Sequence, residues 1–276
     1  MPWIPRGLRN GIVTTGYPRT PDGYPPSFRG SIDVDSNSAS ASIADVVSNC
    51  PTRAISVDGD AIHVDRGKCV LCGRCVSQAP QVFRFSSSVE TSSLLRTALV
   101  VPALEESDVA TQLARAALAR RVKSLHRSIH VRHVDAGSDG SDEWEVAALT
   151  NPVYDVQRLG IYFTASPRHA DILLVTGVGS LGMAESLRQT FEVMPDPRVV
   201  VAAGVESISG ELVGEGYASL GGVDALLDVD VFAPGSPATP FGLLRGILMA
   251  VDLLSRFEGR RGDGATTNGR AGRRRK

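Results

Sequence analysis

All four cysteines of the chain fall in two short segments, Asn49-Cys50-Pro51 and Gly67-Lys68-Cys69-Val70-Leu71-Cys72-Gly73-Arg74-Cys75. A thiolate at every third position across a tight loop lets one run of backbone reach three corners of an iron–sulfur cubane, and a fourth thiolate must then come from elsewhere. The chain's other cysteine, Cys50, is followed by proline. Cys50, Cys69, Cys72 and Cys75 are the candidate ligands of one [4Fe-4S] cluster. A zinc site, or thiols that simply fill a core, are the competing readings. Zinc sites usually draw on separated pairs of ligands, so a triple with equal short gaps plus a distant Cys-Pro favours iron and sulfur.

The pattern is similar to that of bacterial ferredoxins, in which the Cys-Pro closing one motif ligates the cluster of the other. A two-cluster ferredoxin needs a further cysteine where Ala79-Pro80 stands, and three more where Ser40, Ile43 and Val46 stand. The resemblance therefore implies a ferredoxin-like domain that keeps one cluster and has lost its twin.

The 276 residues leave room for about two domains. With 29 basic against 30 acidic side chains, the overall charge offers no case for a nucleic-acid partner. Cysteines at cluster spacing point to a reducing compartment. No apolar run reaches the roughly 18 residues of a membrane helix, and Met1 to Arg9 lacks the apolar core of a signal peptide. The expected location is cytoplasmic, peripheral on the inner face of the membrane through partner subunits.

The elements that must position the cysteines follow from periodicity. Residues 1–40, rich in Pro, Gly and Arg, read as an extended arm, in which Trp3, Ile4, Leu8, Ile12 and Val13 mix with Arg6, Arg9 and Arg19. Residues 41–90 form the ferredoxin-like domain, with a hairpin of Ala54 to Val57 and Ala61 to Val64 turning at Asp58-Gly59-Asp60. Ser86 to Ser93 reads as a linker. Residues 91–127 carry a helix capped by Ser107, whose apolar positions are Val109, Leu113, Ala116, Ala117 and Leu118.

Residues 128–256 alternate strands with helices. The strands are expected at Ile129 to Val134, Asp171 to Thr176, Val199 to Ala203 and Val229 to Phe232. The helices are expected at Glu143 to Leu149, Met183 to Val193 and from Pro240 to Leu254. This order predicts an α/β fold, a parallel sheet covered on both faces. Residues 257–276 read as a disordered basic tail.

Two segments carry a family resemblance. Leu8 to Pro18, Phe28-Arg29-Gly30 and the cysteine motifs resemble the ferredoxin-type subunit of hydrogenase-4 and formate hydrogenlyase complexes. The second half resembles the small subunit of those complexes, homologous to the B-type (20 kDa) subunit of complex I, NADH:quinone oxidoreductase. The matching segments are His130 to Ser138, Asn151 to Asp155, Ala165 to Gly177, Pro195 to Arg198 and Val231 to Pro237. The chain thus looks like a fusion of two subunits. The resemblance implies a flavodoxin-like second domain and an electron-transfer role without catalytic residues. Its implied partners are a large catalytic-type subunit, membrane subunits and a redox donor or acceptor protein.

That small-subunit family holds its own cluster with cysteines at positions that fall here on Asp139, Asp142, Glu206 and Ser236. Oxygen donors do not suit a cluster, so this second site is expected to be degenerate, with three carboxylates converging and a bound divalent ion or a solvated cluster as alternatives. His126, His130 and His133 read as structural. Gly177-Val178-Gly179-Ser180-Leu181-Gly182, between a strand and a helix with Glu206 beyond, offers a competing dinucleotide-binding pattern. A further alternative is a scaffold or redox-sensing subunit whose second half no longer transfers electrons.

Overall fold

The computed structural model describes residues 3–35, 43–102, 106–125, 128–255 and 257. The stretch expected as an extended arm contains a helix, α1 (Trp3–Asn10), and a strand, β1 (Ser31–Val34). Then come α2 (Ile43–Ser48), β2 (Ile55–Asp58), β3 (Ala61–Asp65), α3 (Arg74–Gln78) and β4 (Phe83–Ser86). The expected hairpin forms as β2 and β3, antiparallel, with Ile55 opposite Val64. Gly59, at φ +58°, turns it. β1 returns to pair with β4, antiparallel, Ser31 opposite Ser86. The order is therefore strand, helix, strand, strand, helix, strand, closed by its first and last members. A core of Ile32, Val46, Ile55, Ile62, Val64, Val82 and Phe83 fills it.

The polar stretch Ser86 to Ser93 is not a free linker. Val89 and Ser93 are buried, and Ser93 bridges to Phe232 in the second half of the chain. β5 (Val100–Val101) adds to β3 and is followed by α4 (Glu106–Arg121). Of the apolar face expected on α4, Leu118 is buried, but Val109 and Leu113 are exposed. Arg121 holds α4 to Asp230 through an ion pair instead. The side chain of Ser107 lies outside the described residues, as do residues 258–276 of the basic tail.

The second half alternates as its hydrophobic pattern predicts: β6 (Ile129–Asp135), α5 (Ser141–Ala148), β7 (Ile161–Phe163), β8 (Ile172–Thr176), α6 (Leu181–Glu192), β9 (Val199–Ala203), α7 (Gly204–Ser209), β10 (Val231–Ala233) and α8 (Pro240–Ala250). β7 and α7 are additions to the expected elements, and β7 is too short to give a periodic signal. The strands form one parallel sheet in the order β10-β9-β8-β6-β7. Numbered within the domain, this is the 2-1-3-4-5 doubly wound order. Every residue of β8 and β9 is buried. Ile129, Val131, Ile172, Leu174, Val199 and Val201 face α5 and α8 in one core, while Leu173, Val175 and Val200 face α6 in another.

Candidate functional site

Two clusters of chemistry-bearing side chains lie side by side. The first is the cysteine site. Cys50 follows α2, Cys69 and Cys72 lie on the loop after β3, and Cys75 sits in α3, so two chain segments bring all four thiols to line one cavity, walled by Ile32, Val46, Ile55 and Val64. The loop turns through two left-handed residues, Leu71 at φ +53° and Gly73 at φ +77°. At Gly73 a β-carbon would stand 2.9 Å from the Phe85 ring, so only glycine closes this turn. The Ala54 N–H donates to Cys50 Sγ at 3.2 Å. Burial pushes the Cys69 thiol up to about 12, with its Leu71 backbone hydrogen bond opposing and the charges of Cys75, Cys50 and Cys72 adding to the rise.

All four thiols line the same cavity, a donor set that an iron–sulfur cluster or a zinc ion could use. Where a twin cluster would require cysteines, Val46 and Ala79 are buried and Ile43 packs against the same core, so aliphatic side chains fill that space. Ser40 lies outside the described residues.

The second cluster lies at the carboxyl ends of the parallel strands, where doubly wound folds place their ligands. Asp139 and Asp142 come from the β6–α5 connection and α5, Glu206 from α7 after β9, and Ser236 from the turn after β10. The Asp139 N–H donates to Glu206 Oε2 at 3.3 Å. Asp142 is 1% exposed and its Oδ1 accepts from the Ala238 N–H at 2.7 Å. Burial, opposed by that hydrogen bond and reinforced by Glu206, Glu143 and Glu211, pushes Asp142 up to about 8. Glu206, 6% exposed, is pushed up to about 7 by burial and by Asp139.

The expected convergence of Asp139, Asp142 and Glu206 is modified in one respect. The three carboxylates whose oxygens lie within 4.8 Å of one another are Asp139, Glu206 and Glu211. Glu211 also accepts from Ser236 Oγ at 2.5 Å. The left-handed Gly210, at φ +72°, ends α7 and folds Glu211 back onto the site; a glycine between two acids was the available sequence signal. Asp142 is not one of the three; its Oδ1 is taken by the Ala238 N–H. Asp139 and Glu206 meet Glu211, and Ser236 is joined to them through Glu211; none of the four positions singled out from the resemblance offers a thiol.

The two clusters adjoin. Cys69 and Leu71 share a cleft with Pro234 and Gly235, the residues just before Ser236. Gly67, two residues before Cys69, packs so tightly against Ile208 of α7 that a β-carbon would stand 2.9 Å from its Cγ2.

The glycine turn after β8 does not form a dinucleotide cradle, which overturns that alternative. The N–H groups of Val178, Ser180, Leu181 and Met183 donate to the carbonyls of Gly137, Ala136, Ala218 and Ser180. A β-carbon on Gly177 would stand 2.6 Å from the Gly137 backbone, and one on Gly179 would stand 2.5 Å from Gly222 O. Neighbouring loops occupy the space and the amides a pyrophosphate would need. His130 and His133 both lie on β6. The His130 N–H donates to Asp171 Oδ2 at 2.8 Å, and His133 Nε2 lies 3.0 Å from Thr176 Oγ1. His126 lies outside the described residues.

A doubly wound α/β domain with a cluster of carboxylates at its carboxyl edge defines the class. The chain belongs to the family described as NADH ubiquinone oxidoreductase, 20 Kd subunit, which residues 140–250 match. It is 37% identical over 140 residues to the "Probable membrane-bound hydrogenase subunit mbhJ" of Pyrococcus furiosus, a span of 51% of this chain and 84% of that one. Over 143 residues it is 38% identical to formate hydrogenlyase subunit 7 of Escherichia coli, covering 52% of this chain and 56% of the relative. Over 111 residues it is 38% identical to an NADH-quinone oxidoreductase subunit of Chlorobium phaeobacteroides, covering 40% and 59%. The chain thus spans little more than half the length of these last two relatives. A solved chain of the membrane-bound sulfane sulfur reductase, an archaeal respiratory membrane complex, aligns with a TM-score of 0.41 and 26% identity over 50% of this chain and 75% of its own. The relatives are subunits of hydrogenase and complex I-type oxidoreductases. Among the described residues no helix is long and apolar enough to cross a membrane.

Proposed function

We propose that this chain is an electron-transfer subunit of a membrane-associated, complex I-related oxidoreductase, fusing a ferredoxin-like unit to the 20 kDa-type domain. Cys50, Cys69, Cys72 and Cys75 would hold one [4Fe-4S] cluster, which supplies a one-electron centre. The observation that carries this reading is the convergence of all four thiols on one cavity. The pairing of β1 with β4 and of β2 with β3 supports the ferredoxin-like unit.

The protein's own part is to hold and tune the centre. Apolar walls exclude water, and the Ala54 N–H donates to a ligand sulfur; both affect the potential of such a cluster. A cluster held there would lie beside the 20 kDa-type domain, since Cys69 shares a cleft with Pro234 and Gly235. Partners would be a large catalytic-type subunit, membrane subunits and a redox donor or acceptor protein. Anaerobically purified protein should contain four iron and four sulfide per chain and give a reduced-cluster EPR signal. Colourless protein carrying zinc, or eight irons, would overturn the assignment.

A second reading is favoured by the oxygen donors at Asp139, Asp142, Glu206 and Ser236, which leave no second thiolate site among the described residues. In it the chain is a scaffold or redox-sensing subunit and the cluster does not relay. Potentiometry in the assembled complex separates the two. A relay centre is reduced by substrate and reoxidised in turnover, whereas a scaffold centre stays in one state.

A further inference from the structure

The N-terminal arm concentrates large apolar side chains with nothing packed on them. Trp3 is 66%, Leu8 82% and Ile12 93% exposed, Ile4 and Val13 are also exposed, and no residue of α1 is buried. A β-carbon placed on Gly7 or Gly11 would meet nothing within 4 Å. At the helical period Trp3, Ile4 and Leu8 fall on one side of α1, and Arg6 and Arg9 on the other. No acidic residue occurs before Asp22. The chain then fastens to the second half, where Thr14 Oγ1 donates to Pro152 O at 2.7 Å and the Thr15 N–H to Val153 O at 2.8 Å. Val153 is itself exposed, so the apolar surface continues from the arm onto the body.

A helix of eight residues that includes Pro5 and Gly7 is too short to be stable in water on its own hydrogen bonds. It needs a surface against its apolar side. We propose that α1 lies in the interface of an anionic lipid bilayer, with Trp3, Ile4 and Leu8 at the acyl boundary and Arg6 and Arg9 against lipid phosphates. Charge selects lipid over a protein groove: the flanking charges are of one sign, which matches a uniformly negative surface, and tryptophan beside leucine with arginine opposite is the composition of an interfacial helix. Here the chain itself makes the membrane contact, beyond the association through partner subunits proposed above.

The test uses the full chain carrying Trp144→Phe, which leaves Trp3 as its single tryptophan. Vesicles of phosphatidylcholine with one-third phosphatidylglycerol should shift Trp3 emission to the blue and float the protein, less so at high salt; vesicles of phosphatidylcholine alone should do neither. Leu8→Glu should lower partitioning about tenfold, the worth of burying one leucine, while removal of residues 259–276 should not. Three results would overturn the proposal: no blue shift on anionic vesicles, binding that survives Leu8→Glu but is lost with the basic tail, or shielding of Trp3 by added partner subunits without lipid. None of these readouts requires the cluster, so failure here is distinct from failure of the iron–sulfur reading.

Discussion

Asp142 lies directly over Gly204: a β-carbon on that glycine would stand 1.8 Å from Asp142 Oδ2. Gly204 opens α7 at φ +82°, a conformation that L side chains rarely adopt. Two independent penalties therefore converge on one substitution. Gly204→Ala should destabilise the domain by about 3 kcal/mol or more, part from backbone strain and part from displacing a buried carboxylate. Adding Asp142→Ala should recover only the steric part. Urea midpoints of the single and double variants measure this, and full recovery in the double variant would show that backbone strain contributes nothing.

The same aspartate makes stability depend on pH in an unusual direction. Its folded-state affinity for a proton, raised from the ordinary 3.8 to about 8, exceeds that of the unfolded chain. Between these values the folded state binds more protons, so its contribution falls as pH rises, by up to about 1.4 kcal/mol per pH unit. Below about pH 4 both states are protonated and the penalty vanishes. Asp142→Asn keeps an oxygen to accept from Ala238 but cannot ionise. The variant should gain stability relative to the parent steadily from pH 5 to pH 8 and level off beyond. Parallel pH curves for the two proteins would show that Asp142 ionises as it does in water.

The division of labour between the two clusters has a spectroscopic consequence. Cys69→Ser should abolish most iron–sulfur absorbance and destabilise the small unit, since metal binding and folding are linked in so small a core. Glu206→Gln should leave both the absorbance and the iron content unchanged, because Glu206 belongs to the carboxylate group with Asp139 and Glu211. Iron lost equally from both variants would mean that the carboxylates share in holding metal.

Much of this arrangement was legible in the sequence, for identifiable reasons. The buried strands Ile172–Thr176 and Val199–Ala203 announced themselves as apolar runs between turn signals, and the four cysteines grouped by their spacing do line one cavity. The elements that escaped lacked a local signal. Ile161–Phe163 is three residues long, and Ser31–Val34 is a strand because Phe83–Ser86 returns to it from some fifty residues downstream. The helix Glu106–Arg121 misled in the other direction: Val109 and Leu113 recur at helical spacing yet face outward. Glu211 joins the acidic pocket through a left-handed glycine, a matter of backbone geometry. The glycine turn at Gly177 to Gly182 matched a motif whose amides other loops satisfy, a fact about tertiary contacts alone.

The most direct handle on how the cysteine loop is fixed is Arg96. Its two terminal nitrogens donate to both oxygens of Asp65 at 2.7 Å, and Asp65 also accepts from the Gly67 N–H at 2.8 Å, at the entrance to the cysteine motif. Both side chains are largely shielded, so this fork is worth more than a surface pair. Gly67 packs against Arg96, which thereby braces the loop from outside while Ile208 supports it from α7. Arg96→Ala should cost about 2 kcal/mol, the scale of charged hydrogen bonds, and should speed loss of iron to a chelator. Arg96→Lys keeps the charge but replaces the planar fork with a point donor, so it should restore little. A lysine variant that holds its iron as long as the parent would show that charge alone, and not the paired geometry, secures the loop.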